Sequence, residues 1–381
     1  MSRRRAVVLA LVAVALLACS AAVLIPPATM GMLVVAVGAA EYSPFIAIAD
    51  LVWALVLLAA LRHLARARII ATLLMFSAMG VAVIPLVSWP STIGAAMAQL
   101  GGGDIRGPWP RPVLGETPPP RARVHERTIV YRAADGTPLS MQLYQAMGMG
   151  TRPTVVMLYG GAWRSGAATD DAALARALAS RGYSVASIDY RHAPAARFPA
   201  QLDDVRGSLA LLRDSAAAWQ VDPTRLALLG RSSGGHLAEL AAWSRPEPGV
   251  RAVIAIYAPF DLLAGYRQVP SPDPIDVRQT ITAFLGGTPA QVPARYRDAS
   301  PSTYVRAGLP PTLLLYGARD HVVLPEFNRA AAQALRAANV PVVQVEVPWA
   351  EHGFDMARDG LGAQLEERVV AAFLAKELGS R

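Results

Sequence analysis

Gly230-Arg231-Ser232-Ser233-Gly234-Gly235 is the stretch on which the reading of this chain turns. It closes an apolar run, Arg225–Gly230, that reads as a buried strand, and a helix opens near Ser233. A serine in the pattern G-x-S-x-G at a strand-to-helix turn is held in a strained backbone conformation, and its flanking glycines avoid side-chain clashes there. Ser232 then projects its hydroxyl. The backbone N–H of Ser233, at a helix N-terminus, faces the place where charge develops on an attacked carbonyl oxygen. Ser233 itself lacks the second half of the spacing. The plain alternative is a glycine-rich turn in which Ser232 merely caps a helix, so the residues around it must decide.

Outward from this turn, strands and helices alternate. Strands are expected at His125–Arg132 and Leu139–Gln145, joined through the turn dipeptide Asp135-Gly136, and then at Thr154–Tyr159, Ser184–Arg191, Arg225–Gly230, Val250–Ala258, Thr312–Gly317 and Val342–Val347. Helices are expected at about 169–181, 199–219, 326–338 and from about 362. The pattern predicts an α/β domain over 124–381, a mostly parallel sheet with helices on both faces. Ligands in such sheets bind beyond the carboxyl ends of the strands. The irregular, proline-rich stretch 260–308, with Tyr266, Phe284 and Tyr296, is expected to form a small cap over the pocket.

A serine hydroxyl needs a base, and the base needs an orienting acid, in the chain order Ser, acid, His. Six histidines are available. His63 lies in the apolar front of the chain, His125 and His192 precede Ser232, His236 is one helical turn beyond it, and His321 adjoins the best acid. His352 remains, in Ala350-Glu351-His352-Gly353-Phe354 directly after the Val342–Val347 strand. The acid is Asp320, ending Leu315-Tyr316-Gly317-Ala318-Arg319-Asp320, with Asp261 as runner-up. The second oxyanion donor should come from the loop after the third strand, Tyr159-Gly160-Gly161-Ala162-Trp163, where paired glycines let the main chain approach a substrate oxygen.

Six segments now follow one another: Gly160-Gly161-Ala162-Trp163, Asp189-Tyr190-Arg191-His192-Ala193-Pro194, Phe198-Pro199-Ala200-Gln201-Leu202-Asp203-Asp204-Val205, Gly230–Gly235, Gly317–Asp320 and His352-Gly353-Phe354. Together they resemble the α/β-hydrolase carboxylesterases related to hormone-sensitive lipase and the bacterial feruloyl-esterase-like (BD-FAE-like) group. The resemblance covers about 124–381. It implies a serine esterase with Ser232 as nucleophile, Asp320 as acid, His352 as base, and Gly160, Gly161 and Ser233 as oxyanion donors. Two positions depart from the family pattern. Tyr159 stands where a histidine usually opens the glycine loop, and Arg231 stands where an acid commonly precedes the nucleophile. Tyr159 either braces the loop through its hydroxyl or aims it at the oxyanion. Two other functions compete: a serine peptidase or amidase on the same triad, and a non-catalytic binding protein that reuses the fold, though the latter should have lost a triad residue.

Composition narrows the class further. Of 381 residues, 53% are hydrophobic and only 17% charged, below the ~25% of an ordinary soluble domain. A single cysteine, Cys19, excludes a disulfide framework or a cysteine-based metal site, and no cofactor or metal is implied. The net charge of +8 is spread thinly, without a Lys/Arg run to track phosphates, so nucleic acid is not an expected partner. A small-molecule or lipid ester is.

The apolar excess lies at the front. Residues 6–25, directly after Arg3-Arg4-Arg5, carry no charge, and twenty residues at 1.5 Å each cross a hydrocarbon core of ~30 Å. A second expected span is 45–61, with Asp50 near enough its end to reach the interface, and a third is 69–89. Residues 28–40 are apolar but short for a span. Leu16-Leu17-Ala18-Cys19 resembles a lipoprotein cleavage box, yet the apolar run continues to Ile25, which favours a buried cysteine in a membrane helix. Residues 90–123, with Gly101-Gly102-Gly103, Pro108-Trp109-Pro110 and Pro118-Pro119-Pro120, read as a linker. Arg3, Arg4 and Arg5 before the first span, and Arg62, Arg66 and Arg68 before the third, predict that both basic loops stay inside. Everything after Trp89 is then extracytoplasmic, on a bacterial cell membrane, with Trp89 at the outer interface.

Overall fold

A computed structural model of the chain describes residues 3–61, 65–102, 109–111, 123–148, 150–357 and 359–379. Apolar helices come first: α1 (Arg3–Ala22), α2 (Met30–Glu41), α3 (Ser43–Ala60) and α4 (Ala65–Gln99). The hairpin β1 (Val124–Arg132) and β2 (Pro138–Ala146) leads to β3 (Arg152–Leu158), α5 (Ala172–Ser180), β4 (Ser184–Ile188), α6 (Ala200–Asp214), β5 (Val221–Arg231) and α7 (Ser233–Trp243). After β6 (Val250–Ile256), three short helices, α8 (Leu262–Arg267), α9 (Val277–Leu285) and α10 (Pro293–Asp298), occupy the expected cap. The chain closes with β7 (Thr312–Gly317), α11 (Pro325–Ala337), β8 (Val342–Val347) and α12 (Leu361–Leu378).

The eight strands form one sheet in the order β1-β2-β4-β3-β5-β6-β7-β8. The first two are antiparallel to their neighbours and β3 to β8 run parallel. Every residue of β3, β4 and β7 is buried, as continuous apolar runs require when helices cover both faces. Helices α5 and α12 pack together on one face, α6 and α7 on the other. The mostly parallel α/β sheet expected from the alternation is therefore present.

The front of the chain departs from expectation in three places. Helix α4 does not stop near Trp89 but continues through Pro90 to Gln99, so the first ten residues of the expected linker are helical. They are helical because Ile93, Ala96, Met97 and Leu100 bury an apolar stripe in the core shared with the sheet domain. Trp89 is likewise fully buried rather than interfacial: its indole N–H donates to Leu361 O at 3.1 Å and Arg368 lies over its ring. Asp50 does not reach an interface, because Ser20 Oγ–H donates to it at 2.7 Å inside the helix bundle. The remaining expected linker, including Pro118-Pro119-Pro120, lies outside the described residues apart from 100–102, 109–111 and Arg123, as do Arg62 and His63.

Ser43–Ala60 and Arg68–Gln99 are long and apolar enough to cross a membrane, whereas Val7–Ala22 and Met30–Glu41 are shorter apolar helices. Helix α1 ends before Ile25 because Pro26-Pro27 disfavours helical backbone at the residue ahead of it. Helices α1, α3 and α4 pack together around Ala54, Leu57 and Met75. The end of α4 is stitched to the sheet. Gln99 Nε2 donates to Gln344 O at 2.9 Å, and Gln344 N donates back to Gln99 Oε1 at 3.0 Å, on the outer edge of β8.

Candidate active site

The carboxyl ends of the central strands finish level: Leu158 pairs with Gly230, Arg231 with Ile256, and Ile256 with Leu315. Residues that follow these ends, Tyr159, Ser232 and Tyr257, therefore meet above one edge of the sheet. Gly317 likewise pairs with Val347, so the loops carrying Asp320 and His352 leave side by side.

Ser232 sits at φ 49°, ψ −120°, in the left-handed region that a non-glycine residue rarely adopts. Its N–H donates to Ile256 O at 2.9 Å, which fixes the turn to the neighbouring strand. The turn is so tight that a Cβ on Gly234 would lie 2.2 Å from Leu158 O. Ser232 Oγ is 3.0 Å from His352 Nε2, and His352 Nδ1 is 2.8 Å from Asp320 Oδ2. The other oxygen of the buried Asp320 accepts the N–H groups of Val322 and Val323, both at 2.8 Å, so the carboxylate cannot rotate freely. Nδ1–H donating to Asp320 leaves Nε2 as the acceptor for the serine proton. Asp261 is elsewhere: it caps α8 through Ala264 N and takes the hydroxyl of Ser302.

Gly160 backs onto Ser232, so that a Cβ on it would lie 3.4 Å from Ser232 Cβ. Gly161 has φ 133°, and a Cβ there would lie 2.1 Å from Ser165 O. Ser233 begins α7, where N–H groups have no intrahelical carbonyl. Tyr159 turns to the residues that follow β4. Its buried hydroxyl lies 2.9 Å from His192 Nε2 and 3.3 Å from Tyr190 O, and its ring stacks on Tyr190 with centroids 4.5 Å apart. The phenol is thus committed to the next strand's end. Burial holds it un-ionised, well above its usual range.

Three arrangements were not anticipated from the sequence. Trp163, beside the glycine loop, stacks on Phe284 of the cap at 4.3 Å and donates its indole N–H to Nδ1 of buried His236 at 3.2 Å. His236 Nε2–H in turn donates to Ala299 O at 2.7 Å, and burial pushes this imidazole down to about 4. Arg231 is buried among three carboxylates, Asp171, Asp355 and Glu366. Burial, with help from neighbouring Asp355, pushes the Glu366 carboxyl well above its usual range. Finally, α2 reaches the site, since Leu33 and Val37 pack on Val322 and Val323.

Two spaces open from Ser232. A cavity of about 50 Å³ is bounded by Trp163, Phe260, Leu262, Ile281 and Val323. A larger groove passes His352, Tyr257 and the glycine loop, and its rim includes Met30 and Leu33 of α2. Among the described residues no group of three or more His, Cys, Asp or Glu is placed to hold a metal ion.

Comparison with known proteins now bears on the site. Residues 141–335 match the BD-FAE family. Esterase LipC of Mycobacterium tuberculosis is 31% identical over 322 residues, covering 76% of this chain and 77% of LipC. The chain belongs to the BD-FAE family. It is an α/β-hydrolase and a carboxylic ester hydrolase. Carboxylesterase NlhH of the same organism is 28% identical, over 63% of this chain and 78% of its own. The propionate-bound esterase Est2 of Thermogutta terrifontis shares the fold, with a TM-score of 0.56 and 24% identity over 67% of this chain and 95% of that one. Within this BD-FAE chain, Arg231 pairs with buried carboxylates and the Tyr159 hydroxyl is engaged by His192 and Tyr190.

Proposed function

We propose that this esterase is membrane-anchored and works through an acyl-enzyme formed on Ser232. The reading is carried by one observation, the unbroken line from Asp320 Oδ2 to His352 Nδ1 and from His352 Nε2 to Ser232 Oγ at 2.8 and 3.0 Å. His352 takes the Ser232 proton as the oxygen attacks the ester carbonyl. The carbonyl oxygen gains charge, and N–H groups of Gly160, Gly161 and Ser233 stabilise it. His352 then protonates the departing alcohol, and a water molecule activated by the same imidazole releases the acid. Asp320 holds the imidazole in the working tautomer and offsets the charge it gains. Helices α1, α3 and α4 serve as anchors, α3 and α4 being long and apolar enough to cross and α1 carrying a shorter apolar stretch directly after Arg3-Arg4-Arg5. The basic residues before α1 and α4 favour a catalytic domain on the extracytoplasmic side.

The test is a fluorophosphonate probe on the full chain purified in detergent, with hydrolysis of para-nitrophenyl butyrate followed in parallel. One equivalent of label on the Ser232 peptide and loss of turnover is the expected result. Label on another serine, or normal turnover by Ser232→Ala, overturns the assignment. For the anchor, a reporter active only after export, fused after residue 123, should be active. Silence there with signal from a cytoplasm-only reporter overturns the topology.

A further inference from the structure

Resting on the esterase reading of Ser232, we propose that the substrate is a membrane-resident ester with a short acyl group on a large lipophilic alcohol, and that α2 forms the wall along which the alcohol enters from the bilayer.

Chemistry fixes the orientation first. His352 must hand its proton to the leaving oxygen, so the alcohol lies on the His352 side of Ser232 and the acyl chain on the other. The space without His352 is the smaller cavity behind Trp163 and Phe260, about 50 Å³. At about 10–15 Å³ for each water-sized group, it admits roughly three to five such groups. A short acyl tail fits; a fatty acyl tail does not. The space with His352 is the larger groove, whose rim includes Met30 and Leu33 of α2 beside charged residues such as Arg164, Asp170 and Asp276.

Helix α2 is built into the site. Leu33 and Val37 pack on Val322 and Val323, whose N–H groups orient the Asp320 carboxylate. Yet the rest of its surface is apolar and open: Met30, Met32, Val34 and Val35 are each 41–66% exposed. The helix carries no charge before its last residue, Glu41, which is buried. A contiguous apolar surface of this kind is not left to water. Because α2 lies between α1 and α3, in contact with both, the same hydrocarbon that covers those helices covers it. A 12-residue helix of about 18 Å is too short to span, and a helix lying in the interface satisfies both observations. The groove mouth then opens at the level of the lipid surface. Water adds across the acyl–oxygen bond, releasing the short acid to solvent and returning the alcohol to the bilayer.

The experiment uses the full chain in phosphatidylcholine vesicles and two isomeric esters, hexadecyl butyrate and butyl hexadecanoate, with para-nitrophenyl butyrate as a soluble ester. Hexadecyl butyrate should be hydrolysed with kcat/KM at least about tenfold above its isomer, a pocket preference of a few methylenes' worth. Met30→Glu should lower kcat/KM for hexadecyl butyrate at least about fivefold more than for para-nitrophenyl butyrate, because a charge on the otherwise apolar α2 wall opposes passage of an apolar chain along it. Equal rates on the isomers, preference for butyl hexadecanoate, or an equal loss on both substrates in Met30→Glu overturns the inference while leaving the esterase intact. No turnover of any of the three esters rejects the Ser232 reading and the inference with it.

Discussion

The hydroxyl of Tyr257 donates to Asp355 at 2.5 Å, and this bond ties the ring packed on His352 to the buried guanidinium of Arg231. The ring centroids of Tyr257 and His352 are 4.4 Å apart. The imidazole is thus steadied at its edge by Asp320 and on its face by a phenol that is itself anchored in an ion cluster.

Tyr257→Phe keeps the ring and loses the anchor. Its kcat should fall by less than about tenfold, below the ~10²–10³ expected for loss of a direct charge-stabilising donor, with KM little changed. Arg231→Met strands Asp171, Asp355 and Glu366 without their cation and should cost about 3–5 kcal/mol in urea unfolding. Wild-type stability in Arg231→Met would show that the cluster is dispensable.

Removing any member of the Asp320–His352–Ser232 line should cost on the order of 10⁴–10⁶ in kcat, and double variants should lose little more than single ones because the three act as a unit. Ser233→Ala should remain active, since its backbone N–H is retained. Steady-state kinetics on para-nitrophenyl butyrate checks this. Additive losses would mean that the residues do not cooperate.

Tyr159→Phe should retain more than a tenth of wild-type kcat, because the hydroxyl is engaged by His192 and Tyr190 and a direct oxyanion donor would cost ~10²–10³. A loss in that range would return Tyr159 to the oxyanion.

His236 makes stability sensitive to acid. Its folded value is about 4, against ~6.5 in an unfolded chain. Between these the unfolded state binds a proton that the folded state refuses. The stability is therefore complete above about pH 6.5 and declines as pH falls toward 4, by at most about 3 kcal/mol. His236→Gln, which keeps one acceptor and one donor, should flatten that slope in denaturant titrations from pH 4.5 to 7.5. An unchanged slope would assign the acid sensitivity elsewhere.

Glu41 acts with the opposite sign. It is buried where α2 meets α12, accepting the N–H of Gly362 and the indole N–H of Trp349, and burial pushes it up to about 8. The folded state holds a proton that the unfolded carboxylate, with its ordinary value of 4.5, has released. This contribution is complete below pH 4.5 and lost as pH rises through 8, by at most about 5 kcal/mol. Glu41→Gln should therefore gain thermal stability over wild type at pH 9 relative to pH 6. Parallel melting of the two proteins at both values would contradict it.

The sheet and the line of residues above it were legible because their signals are local. The G-x-S-x-G turn is read between its own strand and helix, and Asp320 and His352 each just past the end of their own strand, although the three lie far apart in the chain. What escaped was set by distant partners. Asp171, Asp355 and Glu366 come to Arg231 from three separate segments, and no spacing announces them. The direction of the Tyr159 hydroxyl is decided by Tyr190 and His192, some thirty residues on. The end of α4 was misplaced because Pro90 and the glycines at 101–103 look like punctuation. Apolar burial of Ile93, Ala96 and Met97 against the sheet domain outweighs that local cost.

The paired amides of Gln99 and Gln344 carry a practical warning for anyone trimming this protein. Among the described residues the sheet has no strand beyond β8, and the glutamine side chain occupies main-chain groups that would otherwise invite a second copy to add itself there. A fragment cut at residue 123 would discard this stopper along with Trp89 and the apolar stripe that follows it. Such a fragment should self-associate, and its poor behaviour would say nothing about the catalytic fold. The anchor doubles as the guard on the open edge.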